Sequence, residues 1–191
     1  MIEDDPEEGL ARLLGFYVGT VVNRNDPDQL GRVRVRIPGL IEPESGWARA
    51  LGTGWGGSRN RGIFGVPELG AEVGVFFDGG DPEKPFFIAA NLGKPDGVSE
   101  APPQAQRDDP DNVVMATASW RIELDEADGG EVLRLTNVVN GDAITIDGPK
   151  NSIQIKATTR LLLLADGEVA IDAAAITIGG REVEIGTTRP I

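Results

Sequence analysis

Three groups of residues in this chain have the types and spacing that chemistry needs. The stretch "DGGDPE", residues 78–83, gathers Asp78, Asp81 and Glu83, oxygen ligands of the kind calcium takes. Their spacing is not that of a helix–loop–helix calcium loop, and Gly-Gly followed by Asp-Pro is turn composition, so a hairpin turn is the stronger expectation. "GTGWGGSRNRG", residues 52–62, is glycine-rich but lacks the lysine and the strand–loop–helix setting of a phosphate loop; a flexible connection is expected there. Arg32, Arg34 and Arg36 alternate with Val33, Val35 and Ile37, which puts a basic stripe on one face of a strand. Such a stripe is what the backbone of a single-stranded nucleic acid would meet.

What is missing narrows the chemistry further. The chain has no histidine and no cysteine. This removes nucleophile–histidine arrangements, thiolate metal sites and disulfides together. The remaining carboxylates fall at turns or outward positions, with no pairing that suggests acid–base work. The expectation is a protein without catalytic residues, metal or cofactor.

The net charge is −13. Residues 15–95 carry nine acids and nine bases, so the excess lies elsewhere: five acids to one base in residues 1–14, five to one in 96–112, and twelve to seven in 113–191. A neutral body with acidic flanks argues against nucleic acid as the main partner. The acidic start "MIEDDPEEG" is unlike a signal peptide, and no apolar run reaches membrane-spanning length. Synthesis in a cytoplasm is the expectation.

The elements that must position these residues fall into four segments. Residues 1–15 form an N-terminal arm, read as a short helix over 5–14: Asp5 caps it, Pro6 suits its first position, Glu7 and Glu8 favour its positive end, and Leu10, Leu13 and Leu14 make one apolar stripe. Residues 16–95 read as five strands, "FYVGTVV", "RVRVRIP", "GWARAL", "AEVGVFF" and "KPFFIAA". Five strands without a long helix suit a small closed barrel of the oligonucleotide/oligosaccharide-binding (OB) type. Residues 96–112, rich in Pro and Asp, are a linker.

Residues 113–191 contain a repeat. Apolar pairs two residues apart recur as Ile122/Leu124, Leu133/Leu135, Ile144/Ile146, Ile153/Ile155, Leu161/Leu163, Val169/Ile171, Ile176/Ile178 and Val183/Ile185. The steps between them are 11, 11, 9, 8, 8, 7 and 7 residues, with turn signals between. Residues two apart point to different sides of a helix but share one face of a strand. Short strands joined by tight turns are therefore expected, and their partner is the difficulty. Ordering seven residues costs roughly 10 kcal/mol of backbone entropy. Burying two aliphatic side chains returns only about 3–6 kcal/mol, and only against a surface. Three chains, each supplying one side of a triangular prism, would bring the pairs together on an axis. Eight strands at about 4.8 Å spacing would make a needle of roughly 35–40 Å, tapering toward the C-terminus.

The segment from Gly19 to Gly93 also resembles a known family. "GTVVNRNDPDQLGRVRVRIPGL", "GWARAL" and "GIFGVPELGAEVGVFFDGGDPEKPFFIAANLG" are similar to the OB domain of contractile-tail central spike proteins, the phage baseplate spikes and the valine-glycine-repeat spikes of type VI secretion. The matching residues are Asp26, Pro27, Gly31, Arg32, Val33, Val35, Ile37 and Pro38; Trp47, Ala48 and Arg49; and Val66, Pro67, Glu68, Gly70, Glu72, Val73, Asp78, Asp81 and Pro82. The resemblance implies a homotrimer in which three OB domains form a collar on a trimeric tail hub. An intertwined triple-stranded β-helix would then project toward the target outer membrane. With only the arm of residues 1–15 ahead of the barrel and a short linker after it, the long N-terminal hub domain of the secretion spikes and a lysozyme-like insertion are not expected in this sequence. The His-x-His iron site of some phage spikes has no counterpart in a chain without histidine. The tip is then metal-free, uses other ligands or is finished by a separate cap protein.

The function expected is a structural, non-enzymatic spike of a virion tail, baseplate or equivalent injection particle, assembled in the host cytoplasm. Leu10, Leu13 and Leu14 are available for the hub contact, and no nucleic acid is bound. Two alternatives remain: an OB-fold protein binding single-stranded nucleic acid through the Arg32–Arg36 stripe, and a receptor- or glycan-binding tail spike.

Overall fold

The structure is a computed structural model and describes residues 2–4, 11–52, 58–59, 61–108 and 111–183. The chain divides into two compact units, Met1–Ala101 and Pro102–Ile191.

In the first unit, β3 (Tyr17–Asn23), β4 (Arg34–Arg36), β5 (Arg49–Ala50), β6 (Glu72–Phe77) and β7 (Pro85–Ala90) form one sheet in the order β4-β3-β6-β7-β5. Neighbours are antiparallel except β5 with β7, which are parallel. Val33 and Ala48 exchange backbone hydrogen bonds of 3.1 and 2.8 Å, which joins the two edges and closes the sheet. This is an OB-type barrel. Alternation decides its core: Val21, Val33, Val35, Val73 and Val75 point inward and are fully buried, with Ile37, Phe77 and Phe87 around them. Gly19 also faces in. A Cβ there would lie 3.1–3.3 Å from Val75, Val35 and Ile37, so the narrow interior has no room for a side chain.

The strands expected over 32–38 and 46–51 shorten to three and two residues. Beyond those limits the chain is held by the single bridges Val33–Ala48 and Ile37–Ile41 and by the Leu51 amide donating to the Phe87 carbonyl at 2.8 Å. Buried Ser45 fills the gap: its Oγ accepts from the Val35 amide at 3.1 Å and donates to the Gly46 carbonyl at 2.7 Å.

The N-terminal helix is corrected. β2 (Ala11–Leu13) pairs antiparallel with β1 (Ile2–Asp4), so the part of the expected helix over 11–13 is a strand, and Leu13 and Leu14 do not share one face. Strand alternation turns Leu13 into the barrel core and leaves Leu14 exposed. Asp5, Pro6, Glu7, Glu8 and Leu10 lie outside the described residues.

The second unit is an antiparallel meander. β8 (Asn112–Ala116), β9 (Trp120–Asp125), β10 (Val132–Asn137), β11 (Ala143–Asp147) and β12 (Ser152–Lys156) each pair with the next along the chain. The segment ahead of it, read as linker, holds short 3-10 turns at Pro95–Gly97 and Pro103–Ala105. The second turn is tied to β8 by a 2.6 Å hydrogen bond from Asn112 Nδ2 to the Gln104 carbonyl.

After Lys156 few of the expected strands form. In the single chain Leu161 and Leu163 are not in a strand and are exposed, Leu163 at 59%. Val169 and Ile171 also lie in irregular, exposed chain rather than in a strand. Only β13 (Thr177–Ile178) and β14 (Arg181–Glu182) pair among the described residues of this stretch, with Ile176 accepting a bond from the Val183 amide at 2.7 Å. Ile185 lies outside the described residues. The physical reason is coverage. "LLLL" at 161–164 is apolar on both faces, as in a strand covered on both sides, and one chain covers neither, so Leu163 has no surface to pack against.

Candidate functional site

The family-motif residues sit where the barrel's connections bend. Asp26 is the knot of the loop between β3 and β4. Its carboxylate accepts from the amides of Asp28, Leu30 and Arg32 at 3.1, 2.9 and 3.2 Å, and from Arg32 Nη2 at 2.6 Å. The Arg32 side chain, helped by these amides, holds the Asp26 carboxyl well below the usual carboxylate range. Pro27 presets the turn closed by the Gln29 amide on the Asp26 carbonyl, at 3.1 Å. Gly31 follows with φ +74°, and a Cβ there would stand 2.7 Å from the Phe64 ring. Pro38 and Gly39 turn the chain after Ile37, and Leu40 and Ile41 donate back to its carbonyl.

Arg24 pairs with Glu68 and reaches the Val66 carbonyl at 3.3 Å, fixing the Val66-Pro67-Glu68 segment. Gly70, at φ +86°, donates to Val21, and Glu72 opens β6 opposite Thr20. Two of the three arginines of the basic stripe are engaged within the barrel, and Arg36 is exposed. Arg32 binds Asp26 and Asp28, Arg34 binds Glu44 at 2.5 Å, and both guanidiniums stand over the Trp47 ring, at 5.7 and 4.7 Å. At the β6–β7 hairpin, Asp81 pairs with Lys84 at 2.9 Å, Pro82 follows, and Asp78 lies 3.5 Å from Arg49. Arg49 in turn covers Phe86 at 4.0 Å. These motif residues hold a barrel together; they do not converge on a reacting centre.

The feature available for a partner lies on the meander. Its register stacks the repeat pairs into two rows across all five strands: Val113, Leu124, Leu133, Ile146 and Ile153, and beside them Met115, Ile122, Leu135, Ile144 and Ile155. All ten are 36–71% exposed. The opposite face is charged and better covered. Glu123, at 3% exposure, is surrounded by Arg107, Arg121 and Arg134 at 3.5, 3.6 and 3.7 Å. Arg107 also binds Asp125 through both terminal nitrogens, at 3.0 and 2.9 Å, and lowers the pKa of that carboxyl. Asp147 is likewise lowered by Lys150, 2.7 Å away.

The sheet is thus inverted relative to an ordinary half-buried sheet, with charge covered and aliphatic rows bare. Sequence reasoning placed Ile122 through Ile155 on one face but missed Val113 and Met115. Their signal was present, an apolar pair nine residues ahead of Ile122/Leu124. It also missed the arginine cluster on Glu123, which only the register assembles.

Residues 17–91 match the model of the type VI secretion system/phage-baseplate injector OB domain. The match takes in the barrel strands and leaves the second unit outside it, so the likeness is one of the barrel to that injector domain. No curated protein matches the chain.

Proposed function

We propose that the chain is the central spike of a contractile injector, a homotrimer without catalytic activity. Its barrels form a collar on a trimeric hub, and its C-terminal half is the needle that enters the target envelope. The bare two-row face of the meander carries this reading. Ten aliphatic side chains, each about half exposed, would release roughly 1 kcal/mol apiece on burial, on the order of 10 kcal/mol per chain. Three such faces around an axis cover one another and leave the charged faces outward. Residues 157–183 have little sheet of their own, and the leucine run there would gain cover by winding with its two copies into a triple-stranded β-helix.

The partners proposed are two further copies, a trimeric tail hub, a tip cap where one is present, and the envelope in passing, within a phage tail, baseplate or similar particle assembled in the host cytoplasm. Nucleic acid is not among them, since carboxylates already occupy Arg32 and Arg34. Hub attachment is tested by capturing the full chain on the purified hub of the same particle, beside a fragment of residues 102–191. Capture of the full chain alone is expected; capture of the fragment would assign the hub contact to the wrong unit.

A further inference from the structure

We propose that the two ends of the meander close the trimer head to tail: the Trp120 end of each copy docks on the acidic-turn end of the next. This rests on the trimeric reading above and adds the contacting surfaces and their direction.

The two ends of the sheet differ in chemistry. At one end Trp120 continues the apolar face beyond Ile122, half exposed, opposite Asn137. The adjoining turn places Val138 and Val139 in solvent, with the Val138 amide bonded to Ser119 at 2.9 Å. At the other end, the connections into β8 and between β9 and β10 carry Asp111, Glu126, Asp128 and Glu131. Their turn includes Gly129 at φ +74°, where a Cβ would meet nothing within 4 Å.

In the prism the strands lie across the axis, and with that orientation symmetry selects the pairing. A threefold axis rotates without translating, so each strand lies at the same height in all three copies. The Trp120 end of β9 therefore comes round to the Glu126 end of the next copy's β9, and Val138 to Glu131. Like ends meeting would set four carboxylates against four, which like-charge repulsion opposes. Unlike ends give the indole N–H, a donor only, a carboxylate to bind, and give its ring a flat glycine turn to lie on.

The chain has no cysteine, so Val138→Cys and Glu131→Cys introduce the only thiols. Within one chain they stand at opposite ends of β10, roughly 23 Å apart at strand rise, beyond a short bis-maleimide. Each variant is weighed by light scattering first and then treated with the reagent. The double variant should run as a covalent trimer on a denaturing gel, and each single variant as a monomer. Covalent dimers from Val138→Cys alone would mean that like ends meet. A double variant that weighs three chains yet stays unlinked would also overturn the corner contact while sparing the trimer. A single-chain mass before crosslinking would defeat the trimeric reading, and this contact with it.

Discussion

Replacing Ile155 by Asp, beside a matched Gln154→Asp control, separates a needle from a free sheet. Ile155 stands opposite Ile144 on the aliphatic face, and Gln154 opposite Thr145 on the other. Both are exposed in the single chain, so in a monomer the two substitutions should differ little, each within about 0.5 kcal/mol. In a trimer they differ greatly. Ile155 is 54% exposed, so assembly would bury about half of an isoleucine, roughly 1 kcal/mol per chain. The new carboxyl would have to be buried charged, at several kcal/mol, or protonated at pH 7, about 4 kcal/mol for a group with an ordinary pKa near 3.9. Summed over three chains the loss is on the order of 15 kcal/mol, about ten powers of ten in the assembly constant.

Assembly raises the pKa of this carboxyl, so the cost shrinks as pH falls: a trimer lost at pH 8 should return in part near pH 5. Thermal unfolding and light scattering at both pH values read the effect. Equal losses from the two substitutions, or no loss from Ile155→Asp, would refute the assigned face.

Asp26→Ala should lower the melting temperature of the barrel, since three amides and Arg32 lose their acceptor. Because folding depresses the Asp26 pKa, its contribution is complete above about pH 4 and fades as pH falls toward the folded value; the variant's unfolding curve should flatten on the acid side. Gly31→Val should cost about 1–3 kcal/mol in backbone strain alone, read by denaturant unfolding, because φ +74° and the Phe64 ring both oppose a side chain. Arg107→Ala should move the Asp125 titration up toward the ordinary carboxylate range, followed by NMR, while Arg121 and Arg134 still hold Glu123.

The barrel is readable from sequence because a narrow core enforces strict alternation: Val33, Val35, Val73 and Val75 announce themselves at period two. The same rule identifies the aliphatic rows at 122–155, where steps of nine to eleven residues leave room for a strand and a turn. Reading failed at the arm, where capping signals and a leucine spacing of three and four imitate a helix, yet Leu13 is drawn into the barrel core. Leu161, Leu163, Val169 and Ile171 lie exposed outside any strand in the single chain, because no surface in the same chain orders them. The Arg107–Glu123–Arg134 cluster joins residues from three places in the sequence, and only the β9–β10 register and the segment before β8 bring them together.

The mass of the purified chain in solution tests the spike most directly. Light scattering after size exclusion should give three times 20.2 kDa, about 61 kDa, across the accessible concentration range. A single species of 20.2 kDa would leave the aliphatic rows in water and contradict the spike outright.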